Sequence, residues 1–128
     1  MKANGQLSSA TRIKALRATR ELAAYPDRRL QALLVYFDEV LLPAGIQVAR
    51  EGKHCSEFVV VIDGRLQATA CLSRTRTLGA GDSFGWNAMW KRASNEATVV
   101  VSADARLLVM SHSQFRAVKA IADPPDAN

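Results

Sequence analysis

The sequence contains no apolar run approaching the roughly 20 residues that a membrane-spanning helix needs. Its start, Met1-Lys2-Ala3-Asn4-Gly5-Gln6, has no apolar signal core. A cytoplasmic protein without a membrane span is therefore expected. Cysteine is scarce: Cys55 and Cys71 form no CxxC and no disulfide framework, and read as ordinary thiols. Histidine is equally scarce. A metal enzyme clusters two or three imidazoles with a carboxylate, and only His54 and His112 are present, so no metal and no resident cofactor is expected. No Ser/His/Asp or Cys/His spacing marks a nucleophile, and His54 and Cys55, as sequence neighbours, make a poor dyad. The expectation is a non-enzymatic protein. Internal repeats and low-complexity tracts are missing too.

At 128 residues and 48% hydrophobic, the chain can bury a sizeable core in one domain. Its charge is unevenly placed. Residues 1–30 hold seven bases and two acids, so the whole excess of +5 lies there, and the remainder balances ten against ten. Such a segment could touch an anionic partner or be a solvated helix. Lys14, Arg17 and Arg20 share one side of a helix, Arg12 does not, and no aromatic interleaves them. That falls short of a nucleic-acid footprint, and no specific nucleic-acid partner is expected.

Residues 1–10 read as a flexible N-terminus. Residues 11–24 hold good helix formers without Gly or Pro. Pro26 suits the first turn of a second helix, in which Leu30, Leu33, Leu34 and Phe37 form one apolar face. After Asp38 the period shortens. Strand-like runs Val40–Leu42, Ile46–Arg50, Glu57–Ile62 and Arg65–Cys71 alternate with glycine turns, and Asp63-Gly64 predicts a hairpin. Val59–Ile62, apolar on both faces, predicts a central strand covered on both sides. Leu72–Leu78 reads as a strand or loop, and Phe84–Trp90 as one or two helical turns. Ala97–Ser102 and Ala105–Met110 read as two strands joined at Asp104. Ser111-x-x-Gln114 is a capping box for a last helix with Phe115, Val118, Ile121 and Ala122 on its face, ended by Pro124-Pro125. About eight short strands between terminal helices predict an α+β domain, a barrel or jelly roll spanning residues 11–122, followed by a tail at 123–128.

The series Leu42-Pro43-Ala44-Gly45, Arg50-Glu51-Gly52, Phe58-Val59-Val60-Val61-Ile62-Asp63-Gly64, Leu78-Gly79-Ala80-Gly81-Asp82-Ser83-Phe84-Gly85 and Ala97-Thr98-Val99 resembles the cyclic-nucleotide-binding domain, in particular catabolite-activator-like sensor domains. The resemblance covers Leu30 to Ala122. It implies a β jelly roll, or double-stranded β-helix, flanked by N- and C-terminal helices, with a phosphate-binding cassette at Gly81–Thr98. A glycine-rich turn feeding a helix start suits a phosphate in its own right.

The resemblance also assigns the cassette's side chains, and here the sequence departs from the family. The family acid that holds the ribose hydroxyl falls on Trp86. The arginine that pairs with the cyclic phosphate falls on Asn95, and the following small or hydroxyl residue on Glu96; Ala97 and Thr98 fit. The pocket candidates are Gly81, Phe84, Gly85, Trp86, Asn95, Glu96, Ala97 and Thr98. Trp86 either fills the ribose space or packs, with Trp90, as a core aromatic. Asn95 and Glu96 are pocket residues or exposed loop. Losing one partner of a buried charge pair costs about 2–5 kcal/mol, and Glu96 adds a like charge beside the phosphate. The expected function is a regulatory or interaction module that does not hold cAMP or cGMP tightly and works with a protein partner or a second copy of itself. The alternative is a true cyclic-nucleotide or other small-ligand sensor acting on a separate protein. No DNA-binding domain is expected.

Overall fold

Two long strands organise the domain. In this computed structural model, which describes residues 7–71 and 74–122, they are β3 (Glu57–Ala70) and β6 (Thr98–Ser111), paired antiparallel along nearly their full length. The first half of β3, with the second half of β6, also holds β1 (Asp38–Leu42) and β5 (Ser83–Phe84). The second half of β3, with the first half of β6, holds β4 (Arg74–Leu78) and β2 (Gln47–Ala49). Four helices complete the chain: α1 (Ser9–Ala18), α2 (Asp27–Leu34), α3 (Trp86–Lys91) and α4 (His112–Val118). This antiparallel sheet with flanking helices is the expected jelly roll.

The predicted hairpin at Asp63-Gly64 is not one. The chain continues through it, and the pairing register with β6 slips between Val61 and Leu66. Gly64 has φ +91°, and a Cβ there would lie 2.3 Å from the Asp104 carbonyl oxygen and 2.5 Å from Ala105 Cα. Glycine is needed because the two backbones touch where both strands bend, as in a β-bulge. For the same reason Ala97–Ser102 and Ala105–Met110 are one strand, and the described residues hold six strands rather than eight. The Leu72–Leu78 segment is strand β4 over its described part.

β3 carries two cores because successive side chains point to opposite faces. Phe58 and Val60 face the helices, among Leu16, Leu22, Leu30, Leu33, Phe37, Met110, Phe115 and Val118. Val59 and Val61 face the barrel interior, with Leu66, Leu78, Phe84, Val99, Val101 and Leu107. The doubly covered strand read from the sequence is therefore present. So is the capping box, Ser111 Oγ to the Gln114 N–H and Gln114 Oε1 to the Ser111 N–H. Phe115, Val118 and Ala122 are buried, as are all four residues of the α2 face.

The first helix differs at both ends. It starts at Ser9, two residues early, because Ser8 Oγ caps the Thr11 N–H. It stops at Ala18 instead of Ala24. Buried Thr19 donates its hydroxyl to the Leu16 carbonyl at 2.7 Å and accepts the Leu22 N–H at 3.2 Å, turning the chain. The tail at 123–128 lies outside the described residues.

Candidate functional site

The concave face of the second half-sheet forms an open pocket of about 580 Å³, in the size range of small-molecule sites. Its shape follows from residue size and register. Ala68 and Ala70 of β3 pair with Arg76 and Arg74 of β4, so small side chains stand opposite the two arginines on the interior face. Thr69 and Thr75 meet across the outer face, with hydroxyls 3.2 Å apart. Phe84 and Ala97 supply apolar wall, and Glu96 places a carboxylate at the rim. A recess of about 100 Å³ shares Arg76, Phe84 and Glu96 and adds Glu21, Ser83, Asn87 and Ala88 together with the sequence candidates Gly85 and Trp86. Ser83 Oγ donates to Glu21 Oε1 at 2.5 Å, so the turn after α1 brings a second acid to the pocket edge.

Of the eight sequence candidates, Phe84, Glu96 and Ala97 line the large pocket. Gly81 does not: its N–H donates to the Val61 carbonyl at 2.9 Å, and its turn is closed by Asp82, which accepts the Gly79 N–H at 2.8 Å. The loop serves as a turn packed on α1, with Ala18 Cβ 3.1 Å from where a Gly81 Cβ would stand. Gly85, at φ +102°, lets the cassette press on β3, where a Cβ would be 2.4 Å from the Glu57 carbonyl oxygen. Thr98 Oγ1 accepts the Glu51 N–H at 3.0 Å.

Trp86 packs as a core aromatic while bordering the small recess. Its ring is 4% exposed and packs edge-on against Phe58 at 4.9 Å, Trp90 at 5.9 Å and Phe115 at 6.0 Å. It belongs to the helix-side core, and the pocket stays open. Asn95 is not an exposed loop residue. It is 9% exposed and donates from Nδ2 to the Arg50 carbonyl at 3.0 Å.

Arg74 and Arg76 were missed by sequence reading. Their signal is a pair of bases two apart on a strand whose partner positions are alanines, visible only once the β3–β4 register is known. Over its described residues, the basic N-terminal segment packs on the domain through α1. Ile13 and Leu16 are buried, Arg12 reaches the Phe37 carbonyl at 3.4 Å, and Arg17 pairs with Asp27; Lys14 and Arg20 stay exposed.

Cys55 is fully buried beside the Glu57 and Gly85 carbonyls, and burial pushes its thiol pKa up, the opposite of an activated nucleophile. Burial also raises the Glu57 carboxyl. His54 and His112 meet through their Nε2 atoms at 3.2 Å, with ring planes within 6° and centroids 5.4 Å apart. That centroid distance is too long for face contact. The rings meet tip to tip, the arrangement of a shared proton and not of two ligands converging on a metal. Among the described residues no group of three or more His, Cys, Asp or Glu is placed to hold a metal ion, and no helix is long and apolar enough to cross a membrane.

The model of the cyclic nucleotide-binding domain matches residues 39–121. Among solved structures, a cyclic nucleotide-binding-like protein from Brucella abortus is 19% identical, over 85% of this chain and 97% of its own, with a TM-score of 0.70. The regulatory domain of Toxoplasma gondii PKA, co-crystallised with cAMP, is 21% identical over 91% of this chain, which spans 46% of that one, with a TM-score of 0.76. The Thermus thermophilus catabolite activator protein is 22% identical over 77% of this chain and 49% of its own, with a TM-score of 0.65. At these identities the likeness is one of fold, while the domain match takes in every strand of the jelly roll from β1 to β6: the chain belongs to the cyclic nucleotide-binding domain family.

Proposed function

We propose that the chain is a non-enzymatic, cytoplasmic regulatory module that acts through a protein partner, or a second copy of itself, and does not hold cAMP or cGMP tightly. The observation that carries this reading is Asn95. At the position of the family arginine stands a shorter, neutral side chain, buried and bonded to the Arg50 carbonyl. No guanidinium reaches the pocket from that loop, while Glu96 beside it sets a carboxylate on the pocket wall. Losing one partner of a charge pair costs about 2–5 kcal/mol, or roughly 30-fold to several-thousand-fold in affinity. No resident cofactor belongs to this reading. Nor does a specific nucleic acid, since Arg12 and Arg17 are engaged within the domain.

A second reading, a small-ligand sensor, is favoured by Arg74 and Arg76. Both line the pocket, and neither has an ion-pair partner among the described residues. Calorimetry with millimolar cAMP and cGMP separates the two. The first reading expects dissociation constants weaker than about 100 μM. Saturable low-micromolar binding, weakened by Arg76→Gln, would establish the second in its place.

A further inference from the structure

A second cavity, of about 370 Å³, shares no lining residue with the barrel pocket. It is walled by His54, Arg92, His112, Phe115, Arg116 and Lys119. Three segments converge on it. His112, Arg116 and Lys119 fall at i, i+4 and i+7 from the start of α4, one face of the helix and its last turn. Arg92 caps the C-terminus of α3 in the left-handed region, at φ +55°. His54 reaches in from the turn before β3, its Nε2 against that of His112.

The sign of the charge is what stands out. No carboxylate lines the cavity, and among the described residues Arg92, Arg116 and Lys119 have no ion-pair partner. Like charges on neighbouring turns are mutually destabilising, and a non-glycine residue in the left-handed region adds strain. Lys119 Nζ sits 5.4 Å from the Phe115 ring centroid and 6.0 Å from that of Trp90, which orients the ammonium beside the cavity. Burial, and then the charges of His54, Arg116, Arg92 and Lys119, push the His112 pKa down. Every charge acting on that imidazole is cationic.

We infer that this cavity binds a phosphate-bearing small molecule, its di- or polyphosphate group seated among Arg92, Arg116, Lys119 and the two imidazoles. The lining groups come from three segments and include three cations, which suits an anion with several charged oxygens better than a singly charged carboxylate. The capping box already takes up N–H groups at the α4 start, so side chains do the binding. Bound anion offsets the repulsion between the cations and favours protonation of His112.

Inorganic pyrophosphate is the probe, titrated by calorimetry at low salt and, in parallel, by NMR of the imidazole carbons across pH. Saturable binding is expected, with the His112 pKa moving up. Arg116→Gln with Lys119→Gln should weaken binding at least about tenfold, the scale of a lost charge-assisted hydrogen bond. Both side chains are exposed, so the fold should survive. Lys14→Gln with Arg28→Gln removes the same net charge elsewhere and should leave the affinity unchanged. The proposal is overturned if millimolar pyrophosphate gives neither heat nor a His112 shift. It is equally overturned if both double variants lose affinity alike, or if acetate at matched ionic strength binds as well as pyrophosphate.

Discussion

Asn95 Nδ2 donates to the Arg50 carbonyl at 3.0 Å, while the Asn95 backbone accepts from Gly52 N–H and donates to the Lys53 carbonyl. One residue thereby staples the end of the cassette to the turn between β2 and β3. Asn95→Ala removes this bond while the Arg50 carbonyl keeps the Lys53 N–H at 3.1 Å, so the cost is that of one ordinary hydrogen bond, about 0.5–1.5 kcal/mol. Urea unfolding should show a loss of that size with no gain in nucleotide affinity. An unchanged midpoint would mean that the amide contributes nothing to the turn.

Trp86 contacts Phe58, Trp90 and Phe115 in the helix-side core. Trp86→Ala should cost about 3–5 kcal/mol, seen as a lower denaturation midpoint and a weaker near-ultraviolet signal. Trp86→Glu should be worse still, because it buries a carboxylate without a partner. Restoring the family acid at this position is therefore expected to unfold the core before it improves nucleotide binding. A folded Trp86→Glu protein with improved cAMP binding would show that the ring lies in the pocket after all.

What the sequence revealed, and what it hid, divides along physical lines. The apolar face of α2, the capping box at Ser111 and the doubly apolar Val59–Ile62 run are local patterns, and they could be read directly. Asp63-Gly64 could not. A glycine with positive φ serves a hairpin and a bulge equally, and only the contact with Asp104, 40 positions away, decides. Thr19 ended α1 through hydrogen bonds to Leu16 and Leu22 that helix propensity does not register. The pocket was half legible. Phe84, Glu96 and Ala97 came from the cassette motif, whereas Arg74 and Arg76 depend on strand register. Trp86 and Asn95 kept their motif positions while their side chains turned to structural work.

The bend at Gly64 has its own test. Of the three atoms that a Cβ would strike, the Asp104 carbonyl oxygen and Ala105 Cα are backbone and the third is Ala105 Cβ, fixed to that same backbone, so no flexible side chain can move aside. Gly52 has a similar φ of +86° with nothing within 4 Å of its would-be Cβ. Gly52→Ala should cost only the left-handed backbone strain, about 1 kcal/mol. Gly64→Ala adds the collision of two strands and should lose at least twice that, or fail to fold. Equal losses at the two sites would remove the close approach as the reason for Gly64.

The setting of His112, half-buried among positive groups, makes stability depend on pH, with a definite sign. Burial, and then the neighbouring positive groups His54, Arg116, Arg92 and Lys119, lower the His112 pKa in the folded state. The unfolded chain takes up that proton at the ordinary value near 6.5, the folded one only at lower pH. Within that window the unfolded state binds more protons, so the His112 contribution is complete above the ordinary value and lost as pH falls toward the folded one. Glu57 acts in the opposite sense at lower pH. Its carboxyl pKa is raised by burial, so its contribution is full in acid and lost as pH rises through the raised value. Comparing melting curves of the protein and His112→Gln between pH 8 and pH 5 isolates the imidazole, since Glu57 is common to both. The parent should lose more than the variant on acidification; parallel profiles would sink the assignment. Pyrophosphate should flatten the parent's slope in part and leave the variant's nearly as it was, because an anion among Arg92, Arg116 and Lys119 takes away the repulsion that adds to burial in depressing the His112 pKa.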